Sequence, residues 1–175
     1  RDPNRNGFLI ENCAKPVFPD SAGGGRSLGR GGGQPVAFEN TGVQAISGVI
    51  AAGESWRLVW EGSGNNTDSP IATDKGMLMA MNDLSQIIEI ALDGSVEVIA
   101  TDTYTGGAMA LTPDGTLYVG QRALNRGIWQ VEPRRLFTNT MNGEPLECLG
   151  TGVLNDMVAD AKGGMYMTMG GVYYA

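Results

Sequence analysis

No histidine occurs in this chain, and that absence decides what its side chains can do. A serine or cysteine nucleophile activated by imidazole cannot be assembled from it. Zinc sites of the usual histidine and cysteine type are disfavoured for the same reason. Proton transfer falls to carboxylates. Any bound cation falls to Asp, Glu and Asn side chains and carbonyl oxygens, ligands that suit calcium, magnesium or manganese. Three residues stand out as carriers of such chemistry. Asp68 opens the run 68–82, and the pair Asn155-Asp156 opens the run 155–175. Asp68 and Asn155 are candidate metal ligands and, with Asp156, candidate catalytic groups. Asp68 and Asn155 each have a local alternative, because Asp bonds backbone in turns and Asn closes strand ends in the same way.

β-Structure must position these residues. The run 155–175 reads as a polar pair, an apolar alternating strand, a Lys162-Gly163-Gly164 turn and a second strand at 165–169; the same layout occurs at 68–82 and 107–121. Setting Gly76, Gly115 and Gly163 as one turn glycine superimposes Leu78, Leu117 and Met165, then Met79, Tyr118 and Tyr166. Counting back, Asp68, Gly107 and Asn155 coincide; counting forward, Asn82, Gln121 and Met169 do. The glycines are about 39 and 48 residues apart, the spacing of four-stranded propeller blades. Third and fourth strands are expected at 87–91, 96–100, 127–131 and 171–174. No sustained 3.6-residue apolar period appears, so the fold class is all-β.

The expectation is a β-propeller of about three blades. Residues 43–51 and 56–60 read as outer strands of a blade whose inner strands lie elsewhere. Three blades leave unpaired edges and an uncovered core. A second polypeptide, a cleaved fragment or another subunit, is therefore expected to complete the ring. Strand-opening positions of different blades face one another across a propeller axis, so Asp68 and Asn155 should meet there. Gly107 adds no side chain and should leave room for a substrate or a water. Asn82, Gln121 and Met169, with Val153, are the candidate substrate-binding positions. Together with Met81 and Met167 they suggest a mouth of low polarity.

The domain reading is a Gly-rich N-terminal arm at 1–40 followed by half a propeller at 41–175. The tract 22–33, AGGGRSLGRGGG, lacks the lysine ending of a phosphate loop and a GxGxxG in register. A net charge of −7 argues against nucleic acid and anionic membrane surfaces as partners. No apolar run reaches the length of a membrane span. Cys13 and Cys148 could form one disulfide or remain two buried thiols. Asn65-Asn66-Thr67 matches the glycosylation pattern. Acidic charge, a first residue other than Met, a possible disulfide and this pattern lean towards a secreted or periplasmic protein.

Within this frame the stretch 53–175 resembles the senescence-marker-protein/gluconolactonase family, also called regucalcin-like, of six-bladed β-propellers. Asp68-Ser69-Pro70-Ile71 stands where that family has Glu-Gly-Pro-Val before its first strand. The run 112–121, TPDGTLYVGQ, is similar to its repeated strand signature, and Asn155-Asp156 leading to Tyr166 resembles a later blade opening. The resemblance implies the N-terminal half of such a propeller, with one divalent metal, calcium before magnesium or manganese, in the central channel. It implies Asp68 as first metal ligand, Asp replacing Glu, and Asn155 as the channel Asn near metal and substrate. The remaining ligands and the usual Asp base would lie on later blades. The implied activity is metal-dependent hydrolysis of a cyclic ester, the metal polarising the carbonyl and activating water. The family's sugar-lactone enzymes often carry Arg two residues before the Asn. Val153 stands there, which favours a less polar substrate. An isomerase, dehydratase or lyase using the metal to hold an enolate-like anion, or a non-catalytic binding propeller, are the other readings.

Overall fold

Short runs of Ile, Val, Met and aromatic residues, many of them ended by a Gly, Asp-Gly or Pro-Asp-Gly turn, give this chain its strands. The computed structural model describes residues 5–14, 44–54, 57–62, 66–122, 126–149 and 153–175. Two compact units form, Arg1–Pro19 with Gly62–Ala175, and Asp20–Glu61. The tract 22–33, Asn65 of the glycosylation pattern and the expected 40/41 boundary lie outside the described residues.

The larger unit begins with a helix, α1 (Arg5–Asn12), and continues in antiparallel strands. The first sheet is a meander of β1 (Thr67–Ala72), β2 (Gly76–Met81), β3 (Gln86–Ala91) and β4 (Val96–Ala100). The second repeats that order with β5 (Ala108–Leu111), β6 (Leu117–Gln121), β7 (Gly127–Gln130) and β8 (Arg135–Thr138). A two-stranded ribbon of β9 (Thr140–Met141) and β10 (Glu144–Pro145) follows, then a 3-10 turn at Leu146–Cys148. The third meander is β11 (Asp156–Ala159), β12 (Met165–Thr168) and β13 (Val172–Tyr174). The protein is all-β, as the spacing predicts.

The sheets stack through apolar faces. Leu78, Ala80 and Ile87 of the first sheet pack with Met109 and Val119 of the second. The second sheet's Ala108, Ala110 and Ile128 pack with Met157, Met165, Met167 and Met169 of the third, together with Leu146 and Leu154. Burying one such aliphatic or Met side chain contributes about 1.5–3 kcal/mol, so each interface stabilises the stack substantially. Cys13 and Cys148 are bonded as a disulfide. It fastens α1, through Leu9, to the turn at Leu146–Cys148. Of the two readings open for these cysteines, the structure holds the bonded one.

Several expectations need correction. Residues 44–51 do not form a strand: Ile46 bridges to Ile50 around a tight turn, with Gly48 at φ 78. Ser47-Gly48 breaks the apolar run there, and a turn satisfies the backbone locally. Residues 57–60 form no strand either. Part of the arm at 1–40 is helical, tied down by the disulfide. The repeat register also slips by one residue. Gly115 and Gly163 occupy the left-handed region at φ 85 and 90, the conformation that glycine adopts freely. Gly76 does not; it is glycine because a Cβ there would run into the carbonyl of Ile90 on β3. The first turn closes from Thr73 to Gly76, the others from Thr112 to Thr116 and Asp160 to Gly164. Gly76 therefore matches Thr116 and Gly164.

Candidate functional site

The corrected register changes which residues meet. Asp68 pairs with Ala80, Ala108 with Gly120 and Asp156 with Thr168. Asp68 and Asp156 are thus the equivalent openings of β1 and β11, and Asn155 matches Thr67 and Gly107. Local bonding agrees. The Asp68 carboxylate accepts from the next backbone N–H, Ser69, at 3.1 Å, and that of Asp156 accepts from Met157 at 3.0 Å.

Ser69 joins the first strands of the three sheets. Its hydroxyl accepts from the backbone N–H of Met109 on β5 at 3.1 Å and donates to Asp156 Oδ1 on β11 at 3.3 Å. Ser69 is buried and sits at φ 48, within a register shift of β1 between Asp68 and Ile71. Pro70 follows, and a proline lacks the N–H that a regular ladder would use. The bulge turns Asp68 and Ser69 towards the first strands of the neighbouring sheets.

Beside this bridge stands a residue that the sequence reading did not single out. Arg122, just past β6, matches Asn82, just past β2. Its Nε donates to the Leu154 carbonyl at 2.6 Å, and its Nη2 donates to Asp68 Oδ2 at 2.7 Å and to the Asn155 carbonyl at 3.0 Å. With the Asn82 amide turned so that its nitrogen donates to the Gly106 carbonyl at 3.0 Å, its oxygen accepts from Arg122 Nη1 at 2.8 Å. The hydrogen-bond network is what assigns such an amide. The Arg122 side chain is 13% exposed and that of Asp68 34%. Gly107 has no Cβ because one would run into the guanidinium. The space expected there for substrate or water is filled by Arg122.

The connector between the first and second sheets fixes the arginine from behind. The backbone N–H of Arg122 donates to the Tyr104 carbonyl at 3.3 Å. Asp102, Tyr104 and Thr105 all have positive φ, as does Ser85, whose hydroxyl accepts from the Thr105 N–H at 2.9 Å. Backbone strain of this kind persists where surrounding contacts over-determine it.

The structure therefore brings Asp68, Asn82, Asn155 and Asp156 into one network, although Asn155 contributes its carbonyl and Asp156 acts through Ser69. The remaining candidates stand apart. Gln121 is buried and accepts from Arg134, which stacks over Trp129 and Tyr104. Met169 and Met167 lie in the core between the second and third sheets, so they do not line a mouth. Val153 is exposed. A shallow groove of about 140 Å³ runs along the third sheet beside Asp156, Val158, Tyr166 and Thr168.

These residues do not fit a resident divalent cation as arranged. Asp68 spends one oxygen on a guanidinium and the other on Ser69, and the Asn155 side chain makes no contact in this network. Among the described residues, no group of three His, Cys, Asp or Glu side chains could hold a metal.

No family model matches the chain. A search of curated proteins finds no match either. Among solved structures, the chain is similar to a gluconolactonase of Xanthomonas campestris, with a TM-score of 0.52 and 15% identity over 60% of this chain and 35% of that one. The chain spans about a third of that structure's length. The likeness is one of fold, a propeller-like stack of meander sheets.

Proposed function

We propose that this chain carries part of a lactonase-like hydrolase site for a cyclic ester, located where the first strands of the three sheets open. One observation carries the reading: the openings of β1 and β11 place two carboxylates, Asp68 and Asp156, in a single network around a cationic side chain. Asp156 commits one oxygen to Ser69 and Met157. Its other oxygen is the candidate acceptor for the proton of an attacking water. Water would add to the ester carbonyl carbon, the ring C–O bond would break, and the alkoxide would take up a proton to give a hydroxy acid. The likeness of fold to a gluconolactonase supports the same reading.

Metal dependence, with calcium ahead of magnesium or manganese, stays part of the hydrolase proposal only if a cation displaces Arg122 from Asp68. A second reading, a binding propeller without catalysis, is favoured by how fully that arginine is bonded. The site also needs a partner. A second polypeptide or fragment bearing further sheets would supply the groups that this chain lacks. The disulfide supports an oxidising compartment, secreted or periplasmic.

A panel of aliphatic, aromatic and sugar lactones, followed by acid release with and without chelator, tests the proposal. Hydrolysis that falls at least tenfold in Asp156→Asn supports it. No turnover of any lactone by the chain, alone or with its copurifying partner, leaves the binding reading.

A further inference from the structure

We propose that Arg122 is the built-in cation of this site and that it excludes a divalent metal while it is in place. Four oxygens converge on its guanidinium: one from the Asp68 carboxylate, one from the Asn82 carboxamide, and the carbonyls of Leu154 and Asn155. A carboxylate, an amide oxygen and peptide carbonyls make the hard donor set that calcium takes. Here they bind a planar, permanently charged group with five N–H donors. Four of the five are used on these acceptors. The last, on Nη1, has no acceptor among the described residues and is available to one ligand oxygen.

Three features show that the arginine is built in. Gly107 is the one residue type that leaves room for the guanidinium over β5. The acceptors come from three different places in the chain: the β1 opening, the residue just past β2, and two successive residues before β11. The Arg122 N–H is itself held by Tyr104 in the positive-φ connector. A divalent cation sharing these oxygens would stand against a like charge within hydrogen-bonding distance, and the low exposure of the arginine weakens solvent screening of that repulsion.

Removing the guanidinium while keeping the aliphatic stem should uncover the donor set. Arg122→Met leaves Asp68, Asn82, Leu154 and Asn155 facing a vacated space. That variant is expected to gain calcium binding that the parent lacks. Arg122→Lys keeps a positive charge and should stay calcium-blind.

The test is thermal unfolding of the full chain in calcium and in chelator, with metal analysis after dialysis against calcium. The unmodified chain should show the same Tm in both and retain no stoichiometric metal. Arg122→Met should have a lower Tm than the parent in chelator and an upward shift in calcium. If that variant does not fold in chelator, recovery of folded protein on refolding in calcium is the equivalent readout. The proposal is overturned if calcium, magnesium or manganese raises the Tm of the unmodified chain, or if a folded Arg122→Met is indifferent to calcium. Should Arg122→Met fold in neither condition, the unmodified chain and Arg122→Lys decide by their response to calcium. Lactone hydrolysis is scored separately. Its absence would remove the hydrolase reading and leave this inference standing, whereas calcium uptake by the unmodified chain would do the reverse.

Discussion

The second and third sheets are built alike and end differently. In the second sheet, the face formed by Ala110, Tyr118 and Ile128 packs against the third sheet, and Ile128 is 0% exposed. The matching positions of the third sheet are Val158, Tyr166 and Val172. Val158 pairs with Tyr166 as Ala110 pairs with Tyr118, and Val172 pairs with Thr168 as Ile128 pairs with Gly120. Yet Val172 is 74% exposed and Val158 60%. The same pattern of apolar residues thus serves as core in one repeat and as surface in the next. Sequence periodicity records which face is apolar; only the presence of a neighbour decides whether that face is buried.

The comparison breaks first at its buried end. Ile128→Ala should cost about 2–5 kcal/mol, the range for a fully buried aliphatic side chain. Val172→Ala in the same chain should cost less than about 0.5 kcal/mol, as exposed substitutions do. Denaturant titration of both variants decides it. Equal losses would mean that the third sheet's face is covered in solution. Addition of a partner that supplies a further sheet should raise the cost of Val172→Ala towards that of Ile128→Ala.

These outcomes also mark how much was legible in the sequence. Alternation and turn residues mark the strands of the three sheets except β8, because most of these strands bury apolar residues and most of the turns carry Gly or Asp; β8 is largely exposed and carries no such signal. The register read from the glycines is off by one residue because glycine at 76 and glycine at 115 and 163 meet different demands, close approach in one case and positive φ in the others. Nothing local in the sequence marks Arg122. Its acceptors lie 54 and 32 residues away, and its place depends on an absent Cβ at Gly107. Asp68 and Asn155 were read as facing a common centre, and they do share a network, but around an arginine and through a backbone carbonyl. The helix at 5–12 has a weak apolar pattern and is held by a disulfide whose partner is 135 residues distant.

That disulfide sharpens the comparison on the covered side. Cys148 lies two residues from Leu146, which packs in the core between the second and third sheets. Reduction, or the pair Cys13→Ser and Cys148→Ser, should lower stability by roughly 2–4 kcal/mol. Urea midpoints with and without reductant measure it. On the open side the expected effect is on association, not folding. Val158→Lys should reduce self-association in sedimentation velocity without moving the midpoint, since isolated apolar faces tend to find one another. If the chain is already monomeric at all concentrations, that face is covered within the chain itself.

The smallest effect concerns how each sheet holds its outermost described strand. In the second sheet Phe137 packs edge-on against Tyr118, with ring centroids 5.3 Å apart. In the third, β13 is tied by a polar bond, Tyr174 donating to Asp160 Oδ2 at 2.8 Å. The backbone N–H groups of Lys162 and Gly164, then the Tyr174 hydroxyl, hold the Asp160 carboxyl below its ordinary 3.8. The same bond raises Tyr174 above its ordinary 10.0. The signs follow from linkage. The Asp160 contribution is fully present above pH 3.8 and is lost as pH falls through the lower folded value. The Tyr174 contribution is present below pH 10.0 and is lost as pH rises through the higher folded value. Asp160→Asn should therefore flatten the acid limb of a Tm-against-pH curve, and Tyr174→Phe should flatten the alkaline limb, while Phe137→Leu should leave both limbs unchanged in slope. An unaltered acid limb in Asp160→Asn would show that the third sheet's outer strand is held by its neighbours and not by this bond, and the contrast between the two sheets would then narrow to the apolar face alone.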